Sequence, residues 1–336
     1  MLRFIVRRLL QMLLALFALS ILLFGWLRSL PGGPVSALLG ERGTVESRAA
    51  LEEELGLDRP IWVQYWSFLK RALQGDFGVS NGVRPGVDAM EVFLTRLPAT
   101  IELGVIAMAL AVGLAIPLGY IAARRRGSVL DTGSIIGSLV GVAVPVFFLA
   151  FVLKYVFAIE WQLLPPSGRQ TAGINATHIT NFFVLDGILT QEWDAVWDAL
   201  QHLILPAIAL SSIPFAVIFR ITRASVLDVM DEDYVRTARA KGLNAPVIRS
   251  RHIMRNALIP VVTIIGLQIG ALLAGAVLTE TVFAFPGIGQ ALALGFERRD
   301  YPVLQVLIMM AALIYIVVNL VVDIAYAVID PRVRTG

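Results

Sequence analysis

The feature that most constrains this chain is a succession of apolar runs, each close to the length that crosses a lipid hydrocarbon core and each followed by charged or turn-forming sequence. A core about 30 Å thick needs roughly 20 helical residues at about 1.5 Å per residue. Residues 9–27, 99–122, 131–158, 202–221, 257–279 and 303–327 form such runs. Backbone amides find no water in hydrocarbon, so runs of this length must bond internally as helices. The predicted fold is all-α, a polytopic membrane protein with six transmembrane helices. Composition agrees: 57% of the 336 residues are hydrophobic and 16% charged, too little polar surface for a soluble domain of this size.

Charge placement predicts orientation. Arg3, Arg7 and Arg8 precede the first run, Arg124, Arg125 and Arg126 follow the second, and Arg220 to Arg255 crowd the segment between the fourth and fifth. Lysine and arginine mark the cytoplasmic ends of spans, whereas the opposite side of this chain carries more acids than bases. An even number of spans then gives a multi-pass protein of the cytoplasmic membrane with both termini cytoplasmic. The first run reads as an uncut span rather than a signal peptide, because no small-x-small cleavage site follows it before Trp26 and Arg28. The chain accordingly divides into a first helix (1–30), an outer loop with short helices (31–98), and a core (99–336) containing an external loop (159–201) and a cytoplasmic loop (222–258). Membrane lipid is the partner that composition requires; nothing points to nucleic acid.

Smaller features follow. Residues 46–57 read as a short helix stopped by Gly56, and Trp62, Tyr65, Trp66 and Phe68 form an interfacial stripe with Lys70 and Arg71 behind it. Gly133, Gly137 and Gly141 recur every fourth residue and predict one helix face cleared for close approach. Pro117 and Pro145 are predicted to kink their spans or free carbonyls.

Chemistry is sparse. The chain has no cysteine, and His178, His202 and His252 are too scattered for metal-ligand spacing. It contains no G-x-x-x-x-G-K-[S/T] loop to cradle nucleotide phosphates and no H-E-x-x-H, so no catalytic residue, cofactor site or metal site is assigned. Glu102, Lys154, Glu280 and Asp323 are the ionisable groups in or beside spans. All four fall near span ends, where hydration makes charge tolerable, and Glu102 and Asp323 are the stronger candidates for a pathway or an interhelical bond.

The segment 231–260, DEDYVRTARAKGLNAPVIRSRHIMRNALIP, is the chain's most informative polar block. Asp231, Glu232 and Asp233 suit a helix start, Gly242 a stop, and Asn244 and Pro246 a turn and restart. The expected form is helix, turn, helix beside the membrane. A solvated loop on anionic lipid would need only the arginines; the ordered pattern points to a protein partner.

At these residues the sequence resembles the inner-membrane permease subunits of ABC importers, in particular the dipeptide, oligopeptide and nickel permease family. The generic permease loop reads E-A-A-x-x-x-G; here Gly242 supplies the glycine, Thr237 and Ala238 stand at the alanines and Arg236 replaces the glutamate. His252, Met254 and Arg255 stand where the generic pattern has isoleucine, leucine and proline. DYVRTARAKGL (233–243) followed by RNALIP (255–260) instead matches the peptide and nickel subgroup, as do LPGGP (30–34), GDFGVS (75–80), FPGIGQ (285–290), RRDYPVLQ (298–305) and DPRVR (330–334). The external loop is longer than that family suggests.

The resemblance implies a type I importer permease fold and a division of labour. This chain, as the first of two homologous permease subunits, would form the pathway with the second; two cytoplasmic ATPase subunits would bind ATP and Mg and grip the permeases; an extracytoplasmic binding protein would deliver substrate. The ATPase-coupling residues would be Asp233, Tyr234, Arg236, Thr237, Ala238, Arg239, Ala240, Lys241, Gly242, Leu243, Asn244 and Pro246. Di- or oligopeptides are the expected cargo, with nickel or glutathione as alternatives. An ion-driven secondary transporter is the reading from a different class, and it would rest on Glu102 and Asp323.

Overall fold

The computed structural model describes residues 2–29, 35, 44–54, 56–174 and 176–329. The LPGGP and DPRVR strings and the side chain of Asp323 lie outside the described residues. Twelve helices organise the described chain: α1 (Leu2–Ser29), α2 (Val45–Glu54), α3 (Ile61–Leu73), α4 (Ala89–Arg124), α5 (Val129–Ala143), α6 (Val146–Leu153), α7 (Phe183–Thr190), α8 (Trp193–Met230), α9 (Asp233–Ala240), α10 (Arg255–Val282), α11 (Ile288–Glu297) and α12 (Tyr301–Ile329). Short π-helical stretches extend α6 through Lys154–Glu160 and precede α10 at Ile248–Met254. Five helices are long and apolar enough to cross a membrane, and the bent pair Val129–Ala143 and Val146–Glu160 makes a sixth span if counted as one.

The bend between that pair is 104° and has a local cause. Proline disfavours helical backbone in the residue before it, and Val144, at φ −79° and ψ 123°, is extended immediately ahead of Pro145. Pro117, in contrast, lies inside α4, which continues through it as one helix. Two other helices also outrun the predicted spans. α4 starts at Ala89 rather than at 99, and α8 starts at Trp193 rather than at 202, so the predicted external loop already contains α7 and the first turns of α8.

The described residues cluster into two compact units, Met1–Pro98 with Pro286–Val317, and Ala99–Phe285 with Val318–Gly336. In the first, the aromatic stripe splits by face. Tyr65 and Phe68 pack on Phe24 of α1, with ring centroids 5.3 Å apart for Tyr65 and 5.7 Å for Phe68, and Tyr65 Oη shares a 2.9 Å hydrogen bond with Ser20. Trp62 and Trp66 remain exposed, where indole rings suit an interface. Arg28 lies over the Phe24 ring and donates to Gln64 at 2.9 Å.

The same unit explains why GDFGVSNG and RRDYPVLQ occur in one chain. Asp300 is fully buried, and its carboxylate accepts hydrogen bonds from Ser80 Oγ at 2.6 Å and from the Gly82 and Val83 amides at 2.9 Å. Arg298 returns a 2.8 Å bond to the Gly82 carbonyl, and a side chain at Gly82 would sit 2.7 Å from the Arg298 Cβ. Residues 78–82 have the Gly-x-Ser-x-Gly spacing of a hydrolase nucleophile turn. Ser80 is nonetheless spent on Asp300, and all three histidines fall in the other unit.

The second unit is built on α8, whose 38 residues extend about 57 Å at about 1.5 Å per residue. Its buried face includes the small side chains Ala195, Ala199, Ala207, Ala209 and Ala216, which leave room for α4, α6 and α10 to approach. α4 comes close at Gly119, where a Cβ would meet the Thr222 Cβ at 2.9 Å and the Phe219 carbonyl at 3.0 Å. The expected glycine face of α5 is only partly used: a Cβ at Gly141 would lie 3.7 Å from the Ser212 carbonyl, while nothing described lies within 4 Å of one at Gly133 or Gly137.

Candidate functional site

Two polar arrangements occupy opposite ends of α8. The first is the 231–260 segment. α8 ends at Met230, and after Asp231 and Glu232 the chain enters α9. The acidic cluster stands at the helix start as expected, with Glu232 at the N-cap and Asp233 in the first turn; Glu232 makes no side-chain cap bond, and its extended backbone, φ −69° and ψ 142°, makes the entry. Val235 and Ala238 form the buried face of α9 and pack against Ala123, Val226, Ile248, Ile253 and Ala257. The other face, Asp233, Tyr234, Arg236, Thr237, Arg239 and Ala240, is exposed.

The stop at Gly242 is fully defined. Gly242 has φ +73°, its amide donates to the Arg239 carbonyl at 3.0 Å, and the Leu243 amide donates to the Ala238 carbonyl at 3.3 Å. These are the paired bonds of a Schellman termination, whose left-handed residue favours glycine. Asn244 is extended and Pro246 opens the next helical stretch, as the sequence predicts. The expected second basic helix is π-helical at Ile248–Met254 and then merges directly into α10. Asn256 Nδ2 donates to Tyr234 Oη at 3.0 Å, fixing the tyrosine across the turn. Lys241, Gly242, Leu243, Asn244, Ala245 and Pro246 are all exposed, so a folded turn is presented outward while its base is anchored.

Anchoring continues into the helices. Arg223 of α8 forks onto Asp131, Nε to Oδ1 at 2.6 Å and Nη2 to Oδ2 at 2.8 Å, and the Gly127 amide adds a 2.9 Å bond to the same carboxylate. Ser225 Oγ donates to the Ala257 carbonyl at 2.8 Å. Sequence reading treated Arg223 and Asp131 only as charges to be counted; their pairing requires α5 and α8 to be brought together.

The second arrangement is a buried clasp at the other end. Arg169 donates to Glu102 Oε2 and to the Asn181 carbonyl, both at 2.6 Å, and stacks 3.8 Å from the centroid of Phe183. Glu102 also accepts the Val184 amide at 2.8 Å. Glu280, fully buried, accepts from Thr100 at 2.6 Å, and the Gly168 amide reaches the Phe283 carbonyl at 2.9 Å. Burial lowers the Arg169 guanidinium below its ordinary value, and facing Glu102 opposes that shift; an arginine still keeps its proton. Nearby, burial would raise Asp186, but hydrogen bonds from Thr180 and the Ile179 amide outweigh it and hold the carboxyl below its ordinary value.

These placements sort the predicted ionisable residues. Glu102 is tied to the loop carrying Arg169, Glu280 to Thr100, and Lys154 donates to the Val282 carbonyl at 2.8 Å. Arg169 itself was missed, although a lone arginine in an acid-rich loop and a lone glutamate early in a span were the available signal. Among the described residues no group of three histidine, aspartate or glutamate side chains is placed to hold a metal ion.

The described chain is helical, with five to six membrane-length spans, and presents an anchored polar turn between two of them. The chain belongs to the family of binding-protein-dependent transport system inner membrane components, which matches residues 115–335, while the N-terminal counterpart of that family matches residues 1–103. It is 44% identical over 338 residues to "Dipeptide transport system permease protein DppB" of Escherichia coli (strain K12), covering 99% of each chain. It is 45% identical over 335 residues to "Di/tripeptide transport system permease protein DppB" of Pseudomonas aeruginosa (strain UCBPP-PA14), again covering 99% of each. Identity to "Oligopeptide transport system permease protein AppB" of Bacillus subtilis (strain 168) is 35% over 331 residues, 98% of this chain and 99% of that one. The chain is thus a DppB-like inner-membrane permease subunit of an ABC importer, a component that does not itself hydrolyse ATP.

Proposed function

We propose that this permease moves di- or oligopeptides into the cytoplasm and that residues 233–246 are its coupling element. The observation that carries the coupling assignment is the outward-facing Schellman turn at Gly242, fixed beneath by Val235 and Ala238 and continuous through two residues with α8. A helix seated in a partner's groove must move when nucleotide-driven closure moves that groove. Asp233, Tyr234, Arg236, Thr237, Arg239, Ala240, Lys241, Gly242, Leu243, Asn244 and Pro246 form the presented surface, with Ala238 in its base.

The partners are a second homologous permease, two cytoplasmic ATPase subunits that bind ATP and Mg, and an extracytoplasmic substrate-binding protein. Both termini lie in the cytoplasm, 1–30 is the first membrane helix, 31–98 faces outward, and 99–336 is the transport core, with its outer loop at 159–201 and inner loop at 222–258. Peptide cargo is supported by the names of the relatives over full-length alignments. Nickel and glutathione share the fold and are separated by uptake assays with each labelled substrate.

Gentle purification and identification of accompanying chains tests the assembly. Two ATPases and a second permease are the expected companions; a self-sufficient homodimer with full transport would overturn the assignment. Ion-driven transport would demand free coupling carboxylates, and Glu102 is engaged by Arg169 and the Val184 amide. Neutralising Glu102 and Asp323 together while assaying ATP-dependent uptake separates the two drives.

A further inference from the structure

We propose that a cleft at the base of the coupling turn binds the phosphodiester head of an anionic phospholipid. The cleft has a volume of about 440 Å³ and is walled by three arginines from three separate elements: Arg124, the last residue of α4, Arg239 in the last turn of α9, and Arg249 in the π-helical stretch. Its lining includes no aspartate or glutamate, and none of the three arginines is ion-paired among the described residues. Arg124 instead has an aromatic neighbour, Tyr120, 5.9 Å away.

Three like charges around one cavity repel one another, and a bound anion turns that repulsion into attraction. Guanidinium groups suit phosphate in particular, because each offers two parallel donors to adjacent oxygens. The remaining wall, Met230, Leu243, Ile248 and Ile253, is apolar. A freely soluble phosphate has no use for such a wall, whereas a lipid can lay glycerol and the start of an acyl chain along it. Position agrees, since Arg124 ends a membrane-length helix and basic residues at span ends attract anionic lipid. The proposed orientation matters here only for which leaflet supplies the lipid.

The test uses the purified, delipidated protein in detergent with whatever chains accompany it, so it reads binding independently of orientation and coupling. Short-chain phosphatidylglycerol, phosphatidylcholine and inorganic phosphate are titrated separately, and bound species are counted by native mass spectrometry. Phosphatidylglycerol should bind in preference to phosphatidylcholine and should not be displaced by equimolar inorganic phosphate. Arg124→Gln with Arg249→Gln should weaken it by on the order of tenfold, whereas Arg125→Gln with Arg251→Gln, removing equal charge outside the cleft, should not.

Equal loss in both pairs would show diffuse attraction rather than a site and sink the proposal. So would unchanged binding in the cleft pair, displacement by inorganic phosphate, or loss of an accompanying ATPase with lipid binding intact, which would assign the cleft to a protein contact. If the glutamine pair does not assemble, Arg124→Lys with Arg249→Lys is read in its place. It keeps the charge and loses the forked donors, and native-strength binding by it would count against phosphate recognition.

Discussion

The two ends of α8 solve the problem of charge in a membrane protein in opposite ways. At the Arg169 end the charges are buried and matched: Arg169 faces Glu102, and Asp186 is wrapped by Thr180 and the Ile179 amide. At the α9 end Arg223 is matched by the buried Asp131; beyond that pair the cations are displayed, and residues 234–260 contain no acid at all. Breaking one member of a buried pair strands its partner in a poorly solvated site, whereas removing a displayed charge leaves water to take its place. Stability should therefore be concentrated at the Arg169 end, and function that depends on a partner at the α9 end.

The largest expected effect on stability is at Arg169. Arg169→Met should cost about 3–5 kcal/mol, because Glu102 would remain buried with its cation gone. Thermal unfolding of the purified protein measures this, and combining it with Glu102→Gln should recover part of the loss. Strictly additive losses in that double-mutant cycle would break the comparison, since the two side chains would then be independent.

Gly119 comes next. A Cβ there meets the Thr222 Cβ and the Phe219 carbonyl at or below 3.0 Å, and backbone cannot yield as a flexible side chain would. Gly119→Val should cost about 1–3 kcal/mol by overpacking. Gly133→Val, with nothing described within 4 Å, should cost less in the isolated chain. A larger loss at Gly133 within the assembled complex than in the isolated chain would mean that this open glycine faces another subunit.

How much of this was legible in the sequence differs between the two ends for a physical reason. The helix, stop and restart around Gly242 were readable because caps and turns are set by residues within a few positions of each other. The Arg169 clasp joins residues 67 apart and the Asp300 cradle residues up to 220 apart, so neither leaves a local pattern. The full reach of two helices beyond their spans was hidden for a different reason. Glu91, Arg96 and Pro98 hid the first turns of α4, and Glu192, Asp194 and Asp198 hid those of α8, because a hydropathy scan registers the lipid-crossing part of a helix and misses polar turns beyond it.

A smaller effect is expected from pH. The Asp186 carboxyl is held below its ordinary value, so it contributes stability that is fully present above the unfolded-state value of about 3.9 and is lost as pH falls through the lower folded value. Thermal unfolding of the purified protein, followed from neutral pH downwards, reads this: the midpoint should fall as pH drops below that range, and the fall should be smaller in Asp186→Asn. An equal fall in both proteins would mean that another group governs the acid sensitivity.

The smallest effect on stability should accompany the most specific effect on function. Arg239 is exposed and unpaired among the described residues, so Arg239→Glu has no buried partner to strand and should leave unfolding within the range of ordinary surface changes. It reverses a charge beside the outward turn, however, and should abolish ATP-driven uptake while membrane insertion persists. Gly242→Pro separates geometry from charge: proline cannot adopt φ +73°, so the Schellman turn must open while the arginines remain. Uptake and substrate-stimulated ATP hydrolysis measured together decide the matter. If the turn couples the two activities, both variants should uncouple hydrolysis from uptake at normal protein levels. If only Gly242→Pro does so, shape rather than charge is what the ATPase reads, and normal activity in both would leave α9 as an anchored surface turn with no part in coupling.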